Sequence, residues 1–479
     1  MQIHMIGICG TGMGSLAGLL SEAGHQVRGS DENVYPPIST MLRGMGISIL
    51  EGYRPSNLEP APDLVIVGNV VNKDNPEVRA LVASGLEYLS MPQALGRFFL
   101  SSRHSIVVGG THGKTTTTAM IARMFMEAGR DPSFLVGGVL KDLDRSYRLG
   151  RDGADALFVI EGDEYETSFF DKGPKLLHYM PRTAVLTSVE YDHAEMYPTL
   201  DAVKEAFARF VALVPPAADG GRLVVCADDP IAMELAASCK GEVVPYGLGP
   251  AARLAGREVE SGPGGLTFEA RLDDVDLGLF HIQLTGRHNL RNALSAVAVG
   301  RGLGLSTKQI AEGLAVFSGV RRRQEIRGIA GGVTVVDDFA HHPTAVRETI
   351  AAIKARFPGQ RVWAIFEPRT NTTRRDVFQE EYARSFDGAD EVLLAPVDHP
   401  ERAPEGRRFS IERLADDLNA RGISARYMPG GVTEIVSHLA ERARRGDAVL
   451  VMSNGGFGGI HDRLLAALSS RCQPGQRPA

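Results

Sequence analysis

Short runs of apolar and β-branched residues recur along the chain, each ending on glycine or a polar residue and followed by apolar positions at helical spacing. Ile3 to Ile8 runs into glycines and a helical pattern through Leu19 and Leu20, a second strand ends at Ser30-Asp31, and Leu64 to Val67 ends at Gly68-Asn69. Ile106 to Val108 meets Gly109-Gly110, with Met120, Ile121, Met124 and Phe125 marking the helix beyond. Leu157 to Ile160 runs into Glu161-Gly162-Asp163-Glu164, and Ala184 to Thr187 leads to Glu190-Tyr191-Asp192-His193. Val333 to Val336 ends at Asp337-Asp338, Val362 to Phe366 at Glu367, Val392 to Leu394 near Ala395-Pro396, and Ala448 to Met452 at Ser453-Asn454. Strands alternating with helical patterns predict an α/β protein with parallel, doubly wound sheets, whose ligands gather at the carboxyl ends of the strands. The glycine-rich stretch from about 247 to 285 breaks this rhythm and predicts an antiparallel insertion. The 479 residues fit about three domains at ~150 residues each. The pattern divides them at 1–102, with Ser101-Ser102 as a linker, then 103–318 and 319–479. The tail from Ser469 onward is expected to be disordered.

Composition narrows the class. Hydrophobic residues make up 43% and charged residues 23%, which fits a soluble globular enzyme. A net charge of −6 argues against nucleic acid as a partner, since such a binder shows a basic face. Cys9, Cys226, Cys239 and Cys472 have no CxxC spacing, so neither a zinc site nor a disulfide framework is expected, and a reducing cytoplasm is the natural location. Ile3 to Leu20 lacks the basic flank of a signal peptide, and no run of 18 apolar residues predicts a membrane span.

The chemistry begins at Gly109-x-x-x-Gly113-Lys114-Thr115. Strand, glycine loop and helix in this order make a phosphate loop, one residue tighter than G-x-x-x-x-G-K-[ST] because Val108 stands where a glycine would. Lys114 would meet the β/γ-phosphates of a nucleoside triphosphate and Thr115 a Mg²⁺ ion. Glu164 and His193 follow strands of the same unit and could hold Mg²⁺. Oxygen is the usual donor, so His193 is the less expected member, and a solvated acidic run and a surface histidine are the plain alternatives. Gly7-x-x-Gly10-Thr11-Gly12-Met13-Gly14, with Asp31 after the second strand, has three readings. It is a nicotinamide dinucleotide loop, a nucleotide-sugar diphosphate loop, or a tight turn with no ligand. Asn289 and Asn292 either cap a helix or contact an adenine edge. Arg321-Arg322-Arg323 is either solvated or grips a phosphate. Asp338-Phe339-Ala340-His341-His342-Pro343 points to nucleotide or phosphate positioning, because adjacent histidines on a loop do not by themselves make a zinc site. The polar loops Phe366 to Thr372 and Ser453 to His461 suit recognition of a charged, peptide-like substrate.

Taken together, Gly110-Thr111-His112-Gly113-Lys114-Thr115-Thr116, Glu164, Asp192-His193, Gly286-Arg287-His288-Asn289-x-x-Asn292, Arg323 and Asp338-x-x-His341-His342-Pro343-Thr344 resemble the Mur ligases, over nearly the whole chain and in order. These are ATP-dependent amide-forming enzymes of peptidoglycan assembly. The resemblance implies three domains: a Rossmann-like UDP-sugar domain, a central P-loop ATP domain and a Rossmann-like C-terminal domain for the amine substrate. It implies ATP and Mg²⁺, with Lys114, Glu164 and His193 catalytic and Thr115, Glu164 and His193 at the metal. ATP would be bound by Gly110, Thr111, His112, Gly113, Lys114, Thr115, Thr116, Asn289, Asn292, Arg323 and Asp338. Gly10, Thr11, Gly12, Met13, Ser30, Asp31 and Asn69 would bind the UDP-sugar, and Arg369, Asn371, Thr372, Ser453 and Asn454 the peptide. The glycine loop and the His-His-Pro-Thr run resemble the branch that adds L-alanine to UDP-N-acetylmuramate. The loops at 366–372, 453–461 and 188–193 resemble the branch that adds the tripeptide L-alanyl-γ-D-glutamyl-meso-diaminopimelate in peptidoglycan recycling. One departure stands out: where later family members carry a carbamoylated lysine this chain has Phe207, and Lys204 is out of step. The tripeptide ligase is the leading expectation, the L-alanine ligase its alternative, and a nicotinamide-dependent oxidoreductase the rival of another class.

Overall fold

Runs of Val, Ile and Leu need cover on both faces, and the strands that carry them lie in sheets flanked by helices. The computed structural model describes residues 1–153 and 155–470. Its first sheet is parallel throughout, in the order Ser48–Glu51, Gln26–Asp31, Gln2–Ile6, Leu64–Val67, Tyr88–Ser90. The first strand stops at Ile6, two residues short of the apolar run. Gly7 turns with φ 83°, and the N–H groups of Gly7 and Ile8 both donate to Ser30 O, at 2.8 and 3.1 Å.

The second sheet has ten strands, in the order Val275–Ile282, Gly265–Leu272, Leu254–Gly262, Glu242–Gly247, Arg222–Cys226, Thr183–Leu186, His104–Gly109, Leu157–Glu161, Ser133–Leu140, Arg145–Arg148. The antiparallel segment expected near 247–285 is present. Rather than standing apart, it extends this sheet, pairing in parallel with Glu242–Gly247 through Tyr246 and Gly247. His104 opens the central strand, 2.8 Å from Thr183 Oγ1. Burial, aided by Arg182 and Arg222, pushes its pKa down to about 4 from 6.5. A depressed histidine contributes stability above the unfolded pKa and loses it as pH falls. We therefore expect about 2–3 kcal/mol to be lost between pH 6.5 and 4. Melting temperatures of wild type and His104→Gln at pH 7 and 4.5 should differ in pH slope; equal slopes would refute the assignment.

The third sheet runs Glu325–Ala330, Val333–Asp338, Ala448–Met452, Val362–Phe366, Glu391–Leu394, Ser424–Tyr427, with only the first pair antiparallel. Three adjacent strands thus bring Asp338, Ser453-Asn454 and Glu367 to one sheet end. The helix Ile460–Ser470 covers this sheet by burying Leu464 and Leu468 against Val333, Val335 and Val449. Ser469 and Ser470 are therefore helical, not the start of a disordered tail, because that apolar stripe runs further than composition indicated. Residues 471–479, including Cys472, lie outside the described residues. No helix among the described residues is long and apolar enough to cross a membrane.

Candidate active site

The strand His104–Gly109 feeds a loop whose backbone requires glycine. Gly110 has φ 128° and Gly113 φ 80°, and the helix Lys114–Glu127 starts at once. Its free N–H groups and positive dipole end therefore face the carboxyl ends of the strands. The loop is braced by its neighbour: Thr111 N donates to Ser188 O (2.9 Å), His112 N to Ser188 Oγ (3.0 Å), and Glu190 N to Thr111 Oγ1 (2.9 Å). Thr116 is buried in the first helical turn.

Lys114 Nζ donates to the carbonyls of Gly110 (2.7 Å) and Thr111 (3.3 Å) and to Glu164 Oε1 (3.0 Å). His193 Nε2 lies 3.1 Å from the same oxygen, so two strand ends converge on the loop as parallel topology requires. Burial works against the Lys114 ammonium, but Glu164, Asp163 and Glu161 outweigh it and hold its pKa above the ordinary range. Burial also opposes ionisation of Glu164; Lys114 and His193 overcome it and pull the carboxyl below its usual range. His193 follows the same logic: burial is beaten by Glu164, Glu195 and Asp192, and its pKa rises to about 10. The centre is a row of alternating charges, two cations on one carboxylate.

Glu161 belongs here too. It ends the strand Leu157–Glu161, in register with Val108, and its Oε1 accepts from Thr115 Oγ1 at 2.8 Å while Oε2 accepts from Gly137 N at 2.7 Å. The sequence showed it only as one of an acidic run; the missing signal was strand register. Glu164 Oε2 is buried without a hydrogen-bond partner, although Lys114 Nζ is 3.0 Å away. That oxygen, and separately the Glu161–Thr115 pair, are oxygen donors of the kind Mg²⁺ takes. His193 is protonated in this arrangement and must lose its proton before it can ligate. Phe207 sits in the core beside this cluster, lining the same small hollow as Glu164, His193 and Tyr197. Lys204 instead reaches Glu234 at 3.3 Å on the surface.

Around this centre the expected residues divide. Thr11, Gly12 and Asn69 line a cavity of about 340 Å³ shared with Met91, Glu161 and Lys175. Gly10 is the N-cap of the helix Thr11–Glu22, and Met13, within that helix, is buried. Ser30 turns away: its hydroxyl donates to buried Glu77 at 2.9 Å. Asp31 accepts the N–H groups of Cys9 and Asn33, both at 2.8 Å, so it braces the glycine loop from within. Asn289 and Asn292 are not caps, because Gly286 holds that position. Asn289 Nδ2 donates to Thr285 O (2.9 Å), and Asn292 packs against Gly113, where an added Cβ would meet its Oδ1 at 2.5 Å. Arg323 stacks 4.9 Å over Phe339, and burial pulls its pKa down. Asp338 accepts from Gln324 N and Ala340 N, both at 2.8 Å, bracing the start of the third domain.

On the third domain, Thr372 is 2% exposed and donates to Asp192 Oδ1 at 3.2 Å, so it joins two domains rather than facing open space. Ser453 donates to Glu367 Oε2 at 2.5 Å and is likewise buried. Arg369 lies across Gly455 and 3.6 Å from Asp398. Asn371 accepts from Arg374 Nη1 at 3.1 Å. Asn454 Oδ1 is buried without a hydrogen-bond partner.

Family models match along the chain: the Mur ligase family catalytic domain at residues 2–103, the Mur ligase middle domain at 108–300, and the Mur ligase glutamate ligase domain at 322–455. The UDP-N-acetylmuramate–L-alanyl-γ-D-glutamyl-meso-2,6-diaminoheptandioate ligase of Escherichia coli (strain K12) is 40% identical, over 99% of this chain and 100% of that protein. This chain belongs to the Mur ligase family. A murein peptide ligase of Psychrobacter arcticus 273-4 shares its fold with a TM-score of 0.70 at 36% identity, covering 98% of this chain and 99% of that one. The UDP-N-acetylmuramate–L-alanine ligase of Roseiflexus sp. (strain RS-1) is 36% identical over 95% of this chain and 96% of that protein. As a Mur ligase the chain is an ATP-dependent, amide-forming enzyme that uses Mg²⁺, which removes the nicotinamide reading of the first glycine loop.

Proposed function

We propose that this Mur ligase joins the carboxylate of UDP-N-acetylmuramate to the amine of L-alanyl-γ-D-glutamyl-meso-diaminopimelate, in peptidoglycan recycling in the cytoplasm, without nucleic-acid or membrane partners. In this reading residues 1–102 bind the UDP-sugar, 103–318 bind ATP, and 319–479 bind the peptide. One observation carries the arrangement: the cavity lined by Thr11, Gly12 and Asn69 is also lined by Glu161, whose partner Thr115 adjoins Lys114. A nucleotide sugar whose diphosphate meets the glycine loop can present its far carboxylate where the γ-phosphate of ATP lies on the second loop.

The carboxylate oxygen attacks the γ-phosphorus, ADP leaves, and an acyl phosphate forms. The peptide amine then attacks the carbonyl carbon, and phosphate departs from the tetrahedral intermediate. Lys114 exchanges its loop carbonyls for phosphate oxygens and holds the transferred group in line. Mg²⁺, when bound, would neutralise phosphate charge, and Thr115, Glu161, Glu164 and His193 are the residues that would hold it. In this reading Asn289, Asn292 and Arg323 would contact the rest of ATP, and Arg369, Asn371 and Asn454 the peptide.

The L-alanine reading is supported by several relatives at 32–37% identity, against tripeptide ligases at 40% and 35%. Supplying ATP and UDP-N-acetylmuramate with either amine, and weighing the product, separates them. We expect the tripeptide adduct to dominate. An L-alanine adduct formed at comparable kcat/KM, with no tripeptide adduct, would reassign the amine.

A further inference from the structure

His112, Glu190 and His342 stand together where the phosphate loop, the loop after Thr183–Leu186 and the third domain meet. His112 Nε2 is 3.4 Å from Glu190 Oε2, and His342 Nδ1 is 3.6 Å from it. All three ligand atoms lie within 4.8 Å of one another. A tetrahedral ion with bonds of about 2.0–2.1 Å sets its ligand atoms about 3.3 Å apart, so a small inward movement of His112 and His342 completes the geometry. We propose that these three residues form a site for one borderline transition-metal cation such as Zn²⁺, distinct from the Mg²⁺ donors, which fastens the third domain to the phosphate loop.

The surrounding groups are those of a built site. His342 Nε2–H donates to Tyr191 O at 3.2 Å, which leaves Nδ1 as the lone-pair nitrogen facing Glu190. Metal-binding histidines are commonly fixed in this way by a backbone carbonyl. Glu190 Oε2 accepts from Thr344 Oγ1 at 2.7 Å, the matching brace for a ligating carboxylate. His112 Nε2 is buried with no hydrogen-bond partner, an unspent nitrogen aimed at the carboxylate. His112 and His342 rings are 4.6 Å apart between centroids, and Phe378 packs on the far side of His342 at 4.7 Å. The competitor for His342 Nδ1 is Thr344 N, a weak cap at 3.2 Å that a metal would displace. The adjacent pair His341-His342 is not itself the site. The second imidazole comes from the phosphate loop, 230 positions away in sequence by residue number.

The test is to titrate Co²⁺ into the intact, chelator-stripped enzyme under excess Mg²⁺, which occupies the oxygen donors. We expect the intense visible bands of a tetrahedral ion, saturating at one per chain. Affinity should fall by roughly 10–100-fold in Thr344→Val and further in Glu190→Gln and His342→Gln. Zinc-edge X-ray absorption on the wild type needs no variant and should show imidazole scattering from two histidines. A weak octahedral spectrum, or a six-oxygen shell, overturns the proposal. So do bands that persist in both Glu190→Gln and His342→Gln, or bands that vanish in His193→Asn, which would put the ion beside Glu164.

Discussion

Lys114→Ala is expected to lower ADP release dependent on both substrates by at least about 10³-fold, with no product detectable by mass. The ammonium is the one cation that the loop itself aims at the phosphate position, and it is held charged in a buried place by Glu164, Asp163 and Glu161. Preorganised charge of this kind is worth more than in water, because its reorganisation is already complete before the phosphoryl group moves. The variant also leaves the buried Glu164 carboxylate with His193 alone, so some loss of melting temperature should accompany it. Lys114→Arg separates the two effects: it keeps the charge and the pairing but not the compact donor, so it should restore melting temperature without restoring turnover. Near-normal product from Lys114→Ala would remove the assignment of this loop to phosphoryl transfer.

Most of the framework was legible because parallel strands announce themselves. Buried on both faces, they read as unbroken apolar runs, and the topology of such sheets then dictates that residues after them converge. That logic put Glu164 and His193 beside Lys114 from sequence alone, and the 3.0 and 3.1 Å contacts agree with it. What stayed hidden depends on register or on surfaces between domains. Glu161 meets Thr115 because of its pairing opposite Val108, which no local pattern encodes. Thr372, read as a peptide contact, donates to Asp192 across a domain boundary. Ser30, which the resemblance places at the UDP-sugar, has its hydroxyl committed to buried Glu77, a partner 47 positions away that no local pattern announces. Glu190 and His342 sit inside segments that carried the family resemblance, yet their meeting with His112 needs the docked third domain.

Gly110→Ala should be the most damaging single-methyl change in the loop, lowering the melting temperature of the central domain by roughly 6–12 °C and abolishing ATP-dependent turnover. Two costs add. At φ 128° an L side chain carries backbone strain of about 1–3 kcal/mol. The new Cβ would also stand 2.1 Å from Thr187 Oγ1 and 2.9 Å from Ser188 N. The hydroxyl is committed to His112 O at 2.6 Å, and the backbone of Ser188 holds Thr111, so neither can yield without moving the loop. Overpacking of this kind costs a further 1–3 kcal/mol or so. Two other glycines calibrate the reading. Gly24→Ala, at φ 85° with nothing within 4 Å of the added carbon, should show the strain alone. Gly113→Ala, at φ 80°, meets the amide end of Asn292 at 2.5 Å, a side chain that can swing. It should fall between the two in stability while still impairing ATP binding. The expected order of destabilisation is Gly110, then Gly113, then Gly24, measured by thermal melts of the intact chain. A Gly110→Ala protein no less stable than Gly24→Ala would mean that the loop is not clamped against Thr187 and Ser188, and that its shape is not what aims Lys114.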